Sequence, residues 1–303
     1  VGVKKINKFR IIFLFFFIFL ICVLLKLFSY SNLIIYPEKP NINNIPPRWN
    51  VTARTPGDYG LKYETISMST IDGINLKGWF IPGKFKKAVV LVHGFEANKI
   101  KVLRYCRFLN AAGYDILLFD LRYFGDSQGE YCSMGFYERN DIRAAVEFLK
   151  TEKGINDIGI LAESMGAAAT ALYLKEAGPV KCAVMDSPFS DLKELLVYRG
   201  KKDKGLSRWV VELIASIAEK RLHYSMNALS FKNNSIKKIN APVFVICGQK
   251  DQKVPFEQCE RMYNNTNDSN VFWKTDCGHT ESFKFYPQEY QYKVLEFFRK
   301  HLN

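Results

Sequence analysis

Histidine is scarce in this 303-residue chain, with four in all, and the seven cysteines contain no CxxC pair. No zinc-finger spacing and no aromatic-basic nucleic-acid module is present, so neither a metal centre nor a nucleic-acid partner is expected. Internal repeats and low-complexity tracts are absent as well, one apolar run near the start excepted. From Ile11 to Leu25 there is no charge at all. What remains is globular in balance, at 48% hydrophobic and 24% charged residues. The length suffices for one large domain or two small ones, with a sizeable core.

The apolar run "IIFLFFFIFLICVLL" follows Lys4, Lys5, Lys8 and Arg10 and precedes Lys26. A buried helix of a soluble protein keeps a polar face, and this one has none. The run is shorter than the roughly 20 residues that cross a bilayer, which leaves open a cleaved signal peptide. No small-residue cleavage site follows, however, and Arg10 and Lys26 can snorkel so that Phe9–Phe28 spans. Residues 1–30 are therefore expected to be a short cytoplasmic tail and a signal anchor in the cell membrane, with the basic side inside and the following domain extracytoplasmic. Residues 31–58, rich in Pro and Asn, read as a tether, and 59–303 as the folded domain.

The net charge is +13, of which Lys4, Lys5, Lys8, Arg10 and Lys26 supply five. The rest is scattered over "KFKK", "KIKVLRYCR", "RGKKDK" and "SIKKI", in no single stripe, as on a solvated surface; a weaker reading is attraction to anionic lipid head groups or cell-surface polymers. Cys182 and Cys247 fall in strand-like runs and read as small buried hydrophobes. Disulfides among the six cysteines outside the anchor, these two included, are permitted outside the cell, but their pairing is not legible.

From "YETISMST-IDG-INLKGWFIPG", a hairpin about Asp72-Gly73, the chain alternates short apolar strands with helices. "KAVVLV", "DILLFD", "DIGILA", "KCAVMD", "APVFVICG" and "NVFWKT" are the strands. "KVLRYCRFLNAAG", "ERNDIRAAVEFLKTEKG", "SMGAAATALYLKEAG" and "PQEYQYKVLEFFRKHL" are helices among them. This is an α/β pattern: a mainly parallel sheet covered by helices on both faces. An insertion over about 190–240 has the size of a small helical lid.

Ligands of such sheets collect at the carboxyl ends of the strands. There the chain delivers His93-Gly94-Phe95, "LRYFGDSQG", Glu163-Ser164-Met165-Gly166, "GQKDQKVP" and "DCGHTE". A serine, acids and a histidine thus share one rim. Ser164 could still be a helix cap, and Asp186 and Asp276 rival Asp251 as the acid. Of the other histidines, His93 reads as structural, His223 lies in the insertion and His301 in the last helix.

These segments resemble the α/β-hydrolase superfamily from about residue 60 onward. "AESMG" is similar to the G-x-S-x-G nucleophile elbow, "LVHGF" to the oxyanion loop, "DLRYFGDSQG" to D-x-R-x-x-G-x-S-x-G, "GQKDQKVP" to the acid loop and "CGH" to the histidine loop. Membrane-anchored bacterial hydrolases of the serine-aminopeptidase-like or esterase-like type are the branch most similar. The resemblance implies Ser164 as nucleophile, His279 as general base, Asp251 as its orienting acid, and the backbone N–H groups of Phe95 and Met165 as an oxyanion hole. Ala162 departs from the usual glycine and implies a slightly adjusted elbow. Arg122 and Asp126 are expected to brace their loop, and Glu163 to lie at the surface or order a loop.

The expected function is a serine hydrolase cleaving an ester, thioester or amide of a small-molecule or peptide acyl substrate, without metal or organic cofactor. The alternatives are a catalytically silent hydrolase fold used for binding at the membrane surface, and a structural membrane protein. Oligomeric state is not legible.

Overall fold

Continuous burial of short apolar segments organises the chain. A computed structural model describes residues 8–40, 45–49, 51–176, 178–231, 239, 241–264 and 270–302; Lys4, Lys5 and most of "SIKKI" lie outside the described residues. Eight strands form one sheet: β1 (Glu64–Ser69), β2 (Asn75–Ile81), β3 (Lys87–Val92), β4 (Asp115–Phe119), β5 (Asp157–Glu163), β6 (Cys182–Asp186), β7 (Val243–Gly248) and β8 (Val271–Thr275). Their spatial order is β1-β2-β4-β3-β5-β6-β7-β8. β1 and β2 form the expected hairpin, β2 runs antiparallel to β4, and every later pairing is parallel. The central strands β4, β6 and β7 are buried throughout, which only a sheet covered on both faces allows.

The helices are α1 (Lys8–Ile35), α2 (Lys99–Val102), α3 (Cys106–Ala111), α4 (Glu138–Thr151), α5 (Met165–Lys175), α6 (Leu192–Lys204), α7 (Arg208–Leu222), α8 (Phe256–Asn264), α9 (Ser282–Phe285) and α10 (Pro287–His301). One face of the sheet is packed by α4, α5 and the α6–α7 insertion, the other by α2, α3 and α10. The fold is that of an α/β hydrolase.

Three local readings need correction. The single helix expected at "KVLRYCRFLNAAG" tightens into a 3₁₀ turn at Leu103–Tyr105, where Arg104 and Tyr105 both turn toward Glu163. Described parts of the expected tether at 31–58 are packed: α1 runs on to Ile35, Ile34 and Ile35 join one core, and Trp49 and Ala53 join the other. These apolar side chains cover apolar surface of the domain, a gain that the Pro and Asn content does not signal. Cys247, buried in its strand but read as a small hydrophobe, is one of the cysteines that pairs: α8 returns over β7 and brings its Cα to 5.9 Å from that of Cys259.

Within α1 the most apolar 18-residue window has a mean hydropathy of 3.1, and none of it is buried in the protein. The helix is long and apolar enough to cross a membrane.

Candidate active site

The β5–α5 junction is a tight strand-to-helix turn with Ser164 at its apex, at φ 52° and ψ −116°. A non-glycine residue at positive φ carries strain, which is tolerated where the surroundings over-determine it. Here they do. Ser164 N–H donates to Asp186 O at 2.8 Å, and Ser164 O accepts from Ala168 N at 3.0 Å. A Cβ on Gly166 would stand 2.4 Å from His93 O, and one on Gly94 would stand 3.1 Å from Ser164 Cβ. The loop after β3 therefore lies directly against the turn. Ala162, fully buried between Val92 and Met185, fits its strand without displacing the turn. The Ser164 side chain makes no capping hydrogen bond.

It faces His279 instead. Nε2 of His279 lies 2.9 Å from Ser164 Oγ, and Nδ1 lies 2.6 Å from Asp251 Oδ2. With the Nδ1 proton donated to the carboxylate, Nε2 is left to accept from the serine hydroxyl. The other Asp251 oxygen accepts from the backbone N–H groups of Lys253 and Val254 at 2.8 and 2.9 Å, so the carboxylate is fixed on both sides. Burial lowers the His279 pKa, and the Asp251 charge opposes it. The rival acids point elsewhere: Asp186 meets Ser187 and Tyr290, and exposed Asp276 meets Tyr286 and Lys250.

Met165 N–H belongs to the first residue of α5, a position without an intrahelical acceptor. Phe95 follows the close-packed Gly94 and borders the same cavity as His279, of about 320 Å³. His93 is buried; its Nε2 accepts from Leu121 N at 3.0 Å and its Nδ1 donates to Gly94 O at 2.8 Å. Burial pushes its pKa down to about 4, so it stays neutral and structural. Arg122 binds Asp141 and Asp72, and Asp126 binds Lys99, which in turn holds Asp120. Both brace the loop after β4.

Sequence reasoning missed the support beneath the site. Glu163, expected at the surface or ordering a loop, is fully buried. Its oxygens meet Arg104 Nη2 and Lys101 Nζ at 2.6 Å each and accept from Tyr105 OH at 2.8 Å. Burial would raise its pKa, but Arg104 and Lys101 outweigh this and hold it at about 2. Arg104 Nη2 also donates to Thr280 O at 3.1 Å, and Lys101 to Thr280 Oγ1 at 3.3 Å, so the network reaches the residue after His279. Thr280 N–H donates to Ser187 Oγ, whose hydroxyl bonds Asp186. The signal available in sequence was a carboxylate on an otherwise apolar strand end together with a basic helix after the oxyanion loop. The cavity beside His279 takes Trp49 from the supposed tether, and none of the described residues of the α6–α7 insertion lines it.

A parallel sheet with a strained serine turn at the end of a central strand defines a hydrolase-type α/β protein. The family model described as serine aminopeptidase, S33 matches residues 83–225. The chain is 30% identical over 237 residues to the uncharacterized protein YqkD of Bacillus subtilis, covering 74% of this chain and 75% of that protein. It is 28% identical over 209 residues to a carboxylesterase of the same organism, covering 64% and 84%. Among solved structures it resembles the Pyrococcus furiosus esterase Pf2001, with a TM-score of 0.69, 29% identity and coverage of 84% and 98%. The chain belongs to the α/β-hydrolase superfamily and is a hydrolytic enzyme of the serine-hydrolase type.

Proposed function

We propose that the protein is a membrane-anchored serine hydrolase in which Ser164, His279 and Asp251 form the catalytic triad. The observation that carries this reading is the unbroken line from Ser164 Oγ through His279 to Asp251, at 2.9 and 2.6 Å. A serine hydroxyl is a poor nucleophile until an adjacent base takes its proton, and that base needs an oriented acid. Ser164 Oγ attacks the substrate carbonyl carbon as its proton passes to His279 Nε2. The oxyanion formed accepts from the N–H groups of Phe95 and Met165; one such donor is worth about 3 kcal/mol in the transition state. His279 then gives its proton to the leaving group, and the acyl-enzyme is cleared by water with His279 again as base. Asp251 stabilises the imidazolium throughout.

The cavity at His279 carries Lys101, Arg104, Lys250, Lys253 and Lys284 with Glu96 and Glu281. A lining this charged suits a polar leaving group better than a long acyl chain. An ester or an amide of a small molecule or peptide fits the site chemistry.

α1 serves as the anchor and the remainder as an extracytoplasmic domain. Lys8 and Arg10 at the N-terminal end of α1 favour a cytoplasmic start, and the Cys247–Cys259 disulfide favours an oxidising compartment for the domain. Turnover of short p-nitrophenyl esters by the native chain, abolished in Ser164→Ala, is the expected result. Undiminished turnover in that variant would remove the assignment.

A further inference from the structure

α1 packs against the insertion and is hydrogen-bonded to it. Arg221 of α7 donates to Ser31 Oγ at 2.5 Å and Asn32 Oδ1 at 2.8 Å, and its guanidinium lies 4.1 Å from the Phe28 ring centre. Directly beyond, Ile35 O accepts from Cys132 N at 2.9 Å and Pro37 O accepts from Tyr123 OH at 2.9 Å. The direction in which α1 leaves the domain therefore fixes how the insertion faces whatever holds α1.

Around α7, at about 100° per residue, Val210 and Ile217 share the half-buried flank of Arg221. Val211, Ile214, Ala215, Ala218 and Leu222 lie to one side of that flank, in the core. On its other side come Leu213, at about 80° from Arg221, and Trp209, at about 120°. They are 46% and 65% exposed. Glu212 and Ser216 lie further round and are polar. The apolar part of the exposed surface thus begins where the α1 contact ends. Exposed Lys201 and Lys204 close the preceding helix, and exposed Lys220 sits near the end of α7.

We propose that the Trp209–Leu213 face of α7 rests on the bilayer that α1 spans, with Lys201, Lys204 and Lys220 at anionic head groups. The occupant is lipid because the face is continuous with the flank that holds the apolar helix. A tryptophan beside apolar and basic side chains is also the composition of a membrane-interface helix. The insertion is then held between α1 and lipid head groups. The proposal rests on the anchor reading of α1 given above.

The test uses the full chain reconstituted into phosphatidylcholine–phosphatidylglycerol vesicles. α1 contains no tryptophan, and Trp49 and Trp79 are buried in the domain. Lipids brominated in the upper acyl chain should quench about a quarter of the tryptophan emission, one residue in four. That fraction should vanish in Trp209→Phe and resist aqueous iodide. A chain that survives carbonate washing but whose Trp209 emission is quenched by iodide and not by brominated lipid overturns the docking and leaves the anchor standing. Shielding from both quenchers overturns it too, in favour of a covering protein or second copy. A chain extracted by carbonate removes the anchor reading and this proposal together.

Discussion

Glu163, the residue before Ser164, is paired at 2.6 Å with Arg104, whose guanidinium also donates to the backbone of Thr280, the residue after His279. The serine turn and the histidine loop are thus tied through one buried ion pair. Breaking a buried pair from one side leaves the other charge uncompensated and typically costs about 3–5 kcal/mol. Glu163→Gln should therefore lower stability at neutral pH. It should also reduce kcat about 10–100-fold with little change in KM, because the base is misplaced while substrate binding is kept. The sign of the pH effect follows from the lowered pKa. The Glu163 contribution is complete above its ordinary value of 4.5 and lost as pH falls toward about 2. Urea melts of native and variant chains should converge over that interval; a constant gap would contradict the pairing.

Catalysis needs His279 neutral, and burial lowers its pKa despite Asp251. The acid limb of kcat/KM should accordingly have its midpoint below about 6.5, the ordinary histidine value. Lys101 is among the charges that push His279 down. Removing its partner in Glu163→Gln should move the limb to still lower pH, a shift that loss of folding alone would not produce. A pH–rate profile of both chains checks this.

Space at the elbow makes opposite demands at two positions. Gly166→Ala would place a methyl group 2.4 Å from His93 O, so the two loops must part. A loss of about 100-fold in kcat is expected, with a lower melting temperature. Ala162→Gly should change kcat by less than about 3-fold and cost about 1 kcal/mol of stability, the usual penalty of glycine in a strand. Steady-state kinetics and thermal melts of the two variants separate these outcomes.

The Cys247–Cys259 bond closes a loop of separation 12, and Cys22, Cys106, Cys132, Cys182 and Cys277 are free. Thiol titration of the unfolded chain should find five groups without reductant and seven with it. Cys259→Ser should lower the unfolding free energy by about 3 kcal/mol, as for loops of this size.

Much of the architecture could be read from the chain because each central strand is a short apolar run that ends in a polar cluster. That pattern gives a mainly parallel sheet with a serine, several acids and a histidine at one rim; singling out Asp251 over Asp186 and Asp276 takes the resemblance to the acid loop. The rest depends on contacts across long stretches of sequence. Glu163 reads as a surface or loop-ordering carboxylate until Lys101 and Arg104, some sixty residues earlier, are seen to reach it and bury it. Trp49 reads as part of a tether because Pro and Asn surround it, although its indole fills the second core. The partner of Cys247 is set by how α8 packs on β7. Arg221 and Ser31 illustrate the limit most plainly, since nothing local in either segment signals their meeting.

The most direct test is covalent labelling of the full chain by a fluorophosphonate, followed by peptide mapping. One adduct is expected, on Ser164, absent in Ser164→Ala and strongly slowed in His279→Ala. A folded, ester-cleaving chain that acquires no label at Ser164, or labels there equally fast without the imidazole, would contradict the account.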